Sequence, residues 1–191
     1  FFSMKKISAY VFLGLLWCNT GVAEEKWLIE PGDEFVSISI AGTIQKGNKL
    51  RFFIPWKKCD TVDHTFSFYT LKKNPYIKQT EDQLVRVESL GENILVHLLY
   101  IISAKPTLSG HMAFISAGTY SLDKHVEFLE KHKNYDVKLE FIYSDIENNV
   151  GWNASDYFDI LEENWSLYGV AAALKKGKGI CTDSKKVTKY H

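Results

Sequence analysis

A chain of 191 residues, 46% hydrophobic and 24% charged, carries enough apolar surface for one domain with a real core. Its formal net charge of +0 excludes the basic footprint that nucleic acid or an acidic membrane surface would select. No repeat and no interdomain linker interrupts it.

At the N-terminal end, Phe1 to Ser3 precede the first methionine and read as residues upstream of the start. Met4-Lys5-Lys6 is a positively charged segment, Tyr10 to Trp17 an apolar one, and Gly21-Val22-Ala23 a small-residue cleavage site. Residues 1–23 are therefore expected to be a secretory signal peptide cleaved after Ala23, with export to the periplasm or beyond. The apolar segment is short for a retained anchor, and Trp17 is too large for the residue before a lipidated cysteine at Cys18. Residues 24–181 are expected to form a single β-rich domain without a transmembrane segment, and 182–191 a flexible basic tail. Cleavage would leave Cys59 and Cys181 in an oxidising compartment. One disulfide between them is the simplest expectation, closing a loop of about 120 residues with a chain-entropy stabilisation of about 4 to 5 kcal/mol. Two separate buried thiols are the alternative.

Beyond Trp27, the turn Pro31-Gly32-Asp33 precedes Val36, Ile38 and Ile40, which alternate with serines as in a half-buried strand. Lys46-Gly47-Asn48 marks a hairpin turn; Leu50, Phe52 and Ile54 line the next strand up to Pro55, and Phe66 and Phe68 a third. Lys72 to Gln83 reads as a loop. Val85 and Val87 form a short strand, Gly91-Glu92-Asn93 a turn, and Ile94 to Ile102 a run expected to be a central strand buried on both faces. After a strand from His111 to Ser116 the period changes: Leu122, Val126 and Leu129 predict a short amphipathic helix capped by Ser121. Val137, Leu139, Phe141 and Tyr143 restore the alternation, and Asp145 to Ser155 reads as a long hairpin loop. Leu167, Val170, Ala171 and Leu174 predict a largely buried closing helix, capped by Ser166 and stopped by Gly177 and Gly179, with Cys181 just past the stop. Eight or nine strands and two short helices predict a mainly β fold, a sandwich or a partly open barrel.

No phosphate loop, nucleophile elbow, C-x-x-C or H-E-x-x-H motif is present, so no catalytic, cofactor or metal residue is assigned. His125 and His132 lie about 10 Å apart along the predicted helix, too far for one metal, and read as part of a solvated face. Cys59, Asp63 and His64 would make a thiolate-imidazole site only if Cys59 were free. His97 reads as a hydrogen-bonded core or edge residue. Asp156, Asp159, Glu162 and Glu163 match no calcium loop and read as a solvated rim. Trp152 and Trp165 bracket a loop and strand and are candidate contacts for a ligand or partner, or else fill the ends of the fold. Asn153-Ala154-Ser155 and Asn164-Trp165-Ser166 match a glycosylation acceptor that is common by chance. Lys185 to Lys189 read as a solvated end.

The segment Trp165-Ser166-Leu167-Tyr168-Gly169-Val170-Ala171-Ala172-Ala173-Leu174 resembles the S-L-x-G-F-x-A-A-L ending of the invasion-associated locus B family, with Val170 where that family has an aromatic residue. The resemblance implies an exported bacterial β-rich protein with a disulfide, and transfers no active site. The expected function is a periplasmic, non-enzymatic domain that binds an envelope protein or small ligand. The competing expectation is a small secreted hydrolase using the carboxylates or the Cys59/His64 pair.

Overall fold

The computed structural model describes residues 27–103, 110–143 and 151–187, with the backbone alone at 99–103, 141–143, 151, 152 and 185–187. The segment read as a signal peptide lies outside the described residues. Ten strands form one antiparallel sheet: β1 (Leu28–Pro31), β2 (Phe35–Ala41), β3 (Lys49–Pro55), β4 (Thr61–Thr70), β5 (Leu84–Ser89), β6 (Glu92–Ser103), β7 (His111–Ser121), β8 (Asn134–Tyr143), β9 (Gly151–Asn153) and β10 (Glu162–Ser166). Two α-helices accompany them, α1 (Leu122–Leu129) and α2 (Val170–Val187). The mainly β expectation holds. The strand order is β1-β2-β3-β4-β7-β6-β5-β8-β10, with β9 on β8, and the sheet is open, without barrel closure among the described residues. Its two ends nevertheless approach, since Thr43 N, just past β2, donates to Asn164 O of β10 at 3.0 Å.

Alternation along each strand sends one set of side chains inward. Ile38 and Ile40 on β2, Leu50, Phe52 and Ile54 on β3, Phe66 and Phe68 on β4, and Val137 and Leu139 on β8 are all buried in one core. β6 sits between β5 and β7 as a central strand, but Leu95 is exposed while Val96 and Leu98 are buried. Where its side chains are described, β6 therefore covers the core with one face only, a correction to the expected burial on both faces. The tight turn between β5 and β6 is Leu90-Gly91, with φ of +53° and +80°, one residue earlier than its glycine suggested.

α1 buries Leu122, Val126 and Leu129, as their spacing predicts. Eight residues are too few to hold a helix alone, so this burial, roughly 1.5 to 3 kcal/mol per side chain, maintains it. Ser121 makes no side-chain cap; instead the Leu122 amide donates to Asp60 O at 2.8 Å, tying the helix start to the turn just before β4.

α2 differs from expectation at both ends. Ser166 is paired with Asn134 as the last residue of β10, and its hydroxyl accepts from Tyr168 N in a turn. Gly169, at φ +77°, then reverses the chain and the helix begins at Val170. Gly177 and Gly179 do not stop it, because neither adopts the left-handed conformation that a terminating glycine supplies. Gly177 marks close approach instead: a Cβ there would lie 2.7 Å from Ile38 Cδ1 and 3.2 Å from Ile54 Cδ1. The helix lies directly on β2 and β3, and Cys181 is inside it, joined to Cys59 by a disulfide with Cα atoms 5.7 Å apart. Residues 182–187, expected in the tail, belong to α2, and 188–191 lie outside the described residues. Among the described residues no helix is long and apolar enough to cross a membrane.

Candidate ligand-binding site

The functional candidate is built on β4 and α1. The inward positions of β4 are Val62, His64, Phe66 and Phe68, so His64 occupies a core place and is 1% exposed. On α1, His125 follows Leu122 by three residues and precedes Leu129 by four, which puts it on the buried stripe at 5% exposure. It is not part of a solvated face. The two imidazole ring centres are 5.1 Å apart, with Phe52 4.8 Å from His64 and 5.7 Å from His125. His132, beyond the helix end, is a separate group whose Nδ1 contacts Phe128 O at 3.0 Å.

A bulge in β7 shapes this region. Opposite the His64-Thr65 step, β7 passes from Gly118 to Ser116 with Ala117 left over, and Gly118 has φ +117°. Bulges of this kind re-aim neighbouring side chains. Beside it, Tyr120 folds back so that its hydroxyl donates to Ala117 O and its ring stacks on His125, with centres 4.4 Å apart and planes 6° apart. Phe128 lies 6.0 Å from His125 and nearly parallel to it. From β8, Tyr135 packs 4.8 Å from His64.

These groups enclose a cavity of about 490 Å³, walled also by Leu90 and Ile94 and flanked by exposed Lys124 and Glu92. That volume is within the range of small-molecule sites, which combine apolar walls with a few fixed polar groups. Both histidines line it, and among the described residues neither Nε2 has a hydrogen-bond partner. Burial holds the His64 pKa well below the ordinary value, helped by His125, and burial alone lowers His125 to about 4. Both imidazoles are therefore neutral at pH 7. Burial also raises Tyr120, and pushes Tyr135 up to about 12. Leu90 holds a left-handed conformation costly for a non-glycine residue at the cavity wall, the kind of strain that collects at functional positions.

The other sequence candidates fall elsewhere. Cys59 spends its sulfur in the disulfide, so it presents no thiolate to His64. Asp63 precedes His64 in β4, points to the opposite face, and accepts from Thr119 Oγ1 at 2.5 Å. Trp165 is 0% exposed, packed against Phe66, Phe68 and Tyr135, and is a core residue that no partner can touch. Trp152 stands in β9 opposite Ile142, and its side chain lies outside the described residues. His97 contacts Asp82 O at 3.1 Å on a strand that pairs on both sides.

The carboxylates read as a rim divide. Glu162 is exposed and pairs with Lys138 at 3.5 Å. Asp159 accepts from Thr70 Oγ1 and Leu71 N, at 3.0 and 2.6 Å. Glu163 is 2% exposed and accepts from Ile44 N, Gln45 N, Asn48 Nδ2 and Asn164 N, all between 2.8 and 3.0 Å. It is a fastener between β10 and the β2-β3 turn, not a solvated group. Among the described residues, no three His, Cys, Asp or Glu side chains gather as a metal ion requires.

The chain matches no protein-family model, and comparison with curated proteins and with solved structures finds no match.

Proposed function

We propose that this chain is an exported, non-enzymatic binding domain that holds a small, mainly apolar molecule between α1 and the sheet. The observation that carries this reading is the cavity of about 490 Å³ between α1 and the sheet, lined by Leu90, Ile94 and the rings of Tyr120, His125, Phe128 and Tyr135. The apolar walls and the half-exposed rings of Tyr120 and Phe128, at 40% and 41%, supply contact area for its body. Export is supported by the leader-like residues 4–23 and fits the disulfide; the likeness of residues 165–174 to the invasion-associated locus B ending agrees with an envelope location. A hydrolytic role is the weaker reading, since Cys59 is oxidised and Glu163 and Asp159 are engaged by amide or hydroxyl donors.

The test is the fluorescence of N-phenyl-1-naphthylamine, an uncharged dye, added to the oxidised protein. Saturable brightening is expected, and Leu90→Trp, which fills the cavity from its wall, should weaken it at least tenfold. Dye binding unaffected by Leu90→Trp, or no saturable binding, would contradict the reading.

A further inference from the structure

One wall of the cavity is α1, through Lys124, His125 and Phe128. We infer that α1 is an acid-released lid: charging the buried pair of His64 and His125 drives the helix off β4 and opens the cavity, so that a bound molecule leaves. This regulation rests on the binding reading above.

His64 belongs to β4 and His125 to α1, so the contact between their rings, with centres 5.1 Å apart, is part of the seam that holds the helix to the sheet. Each Nε2 is shut off from solvent and, among the described residues, has no hydrogen-bond partner. An imidazolium carries an N–H on both nitrogens, so a proton on either ring leaves a charged donor at Nε2 with neither water nor an acceptor. A second proton sets two cations in contact. Moving the rings apart into water removes both penalties, and because they stand on different elements, that requires the helix to leave.

The groups around the pair do not offset the charge. Phe52 of β3 is apolar, Tyr120 of β7 donates its hydroxyl to Ala117 O, and Tyr135 of β8 is uncharged in acid. On the lining, Glu92 of β6 is exposed, while Lys124 and His132, on α1 and beyond its end, are basic. Asp63, next to His64 on β4, accepts from Thr119 on the opposite face, and Asp123 on α1 accepts from Lys178 of α2.

The helix can leave by itself. Eight residues do not hold a helix without tertiary contacts, and its seat is Leu122, Val126 and Leu129 together with the Leu122 amide bond to Asp60 O. The sheet keeps its own ladders, and the disulfide fastens α2, not α1. Burial keeps the imidazoles unprotonated in the closed form, whereas freed rings titrate near the ordinary value of about 6.5. Opening is therefore disfavoured above that pH and gains up to about tenfold per pH unit for each imidazole as pH falls towards 4.

The experiment follows amide hydrogen exchange of the full oxidised chain, corrected for the intrinsic effect of pH, beside binding of N-phenyl-1-naphthylamine, which stays uncharged in this range. Between pH 6.5 and 4.5, α1 should lose protection at least about a hundredfold and exchange ahead of β2 and β3. Dye bound at pH 7.5 should be released by pH 4 and rebind on return. His64→Phe and His125→Phe each remove one of the two protons and should about halve the slope of log protection against pH. Should either variant fail to fold, nitrogen-15 titration of the wild-type imidazoles decides: His125 should gain its proton over the pH range in which α1 loses protection. Constant α1 protection, exchange of α1 and β3 together, an unchanged slope in either variant, His125 charging under a protected helix, or dye retained at pH 4 would overturn the lid, while dye binding at pH 7.5 left the binding reading standing. Absence of saturable dye binding at pH 7.5 would overturn both.

Discussion

A carboxylate taken out of water costs several kcal/mol unless donors replace its hydration shell. At Glu163 four N–H groups do so, three of them from the β2-β3 turn, more than a hundred residues earlier in the chain. Gly42 completes the arrangement, since a Cβ there would fall 2.3 Å from the Glu163 carboxyl carbon. Glu163→Gln keeps the shape but turns an amide NH₂ toward donors. It should cost about 2 to 3 kcal/mol in urea unfolding, the worth of charge-assisted hydrogen bonds lost in a buried place. A loss below about 0.5 kcal/mol, typical of surface changes, would contradict the fastening role. None of this was visible in the sequence, where Glu163 sits among other carboxylates and its partners are mostly backbone amides. His64 and His125 were more legible than they first looked. Each falls on the buried period of its element, β4 or α1, and only their meeting across 61 residues required the fold.

Among the elements, α2 separates what local pattern can tell from what it cannot. Of its expected apolar stripe, Val170 and Leu174 are buried, whereas Ala171 is only partly buried, Ala173 takes the inward place, and Leu167 is buried ahead of the helix. Its length was not legible, because a glycine near a helix end serves equally as a stop or as a place where two backbones come close. Gly177 is the second kind and Gly179 neither, with open space around it. Gly179→Ala should therefore stabilise the protein by roughly 0.5 to 1 kcal/mol through helix propensity, read as a raised melting temperature. Gly177→Leu should destabilise by at least about 2 kcal/mol, because the added atoms meet Ile38 and Ile54. The opposite order of the two variants would mean that α2 does not lie on β2 and β3. Strands were the most readable elements: one buried face imposes strict alternation, as Val36, Ile38 and Ile40 display. The ambiguous run was β6, whose continuous apolar sequence suggests two covered faces although Leu95 meets solvent.

At the scale of the whole molecule, long-range ties hold an open sheet in shape. Glu163 clasps its two ends, Asp123 on α1 accepts from Lys178 on α2 at 2.8 Å, and the disulfide locks α2 to the segment after β3. The disulfide spans 122 residues, and its reduction should lower stability by about 2 to 5 kcal/mol, measured by denaturation with and without reductant. An unchanged unfolding midpoint would contradict the lock. These ties position α1 beside β4, so that the cavity and its imidazole pair depend on the whole assembly. The groups facing that pair are Tyr120 from β7, Tyr135 from β8, Glu92 from β6, and Lys124 and His132 from α1 and its end. Because the folded imidazoles resist protonation, the unfolded chain binds more protons between pH 6.5 and about 4. Stability is thus full above 6.5 and falls as pH drops through that window, by up to about 1.4 kcal/mol per pH unit for each imidazole. The most direct measurement is a nitrogen-15 NMR titration of His64 and His125 in the folded protein. Both should remain uncharged as pH falls past 6.5, with His125 gaining its proton near 4 and His64 well below its ordinary value; titration of either imidazole at 6.5 would show a water-filled opening in place of a buried pair.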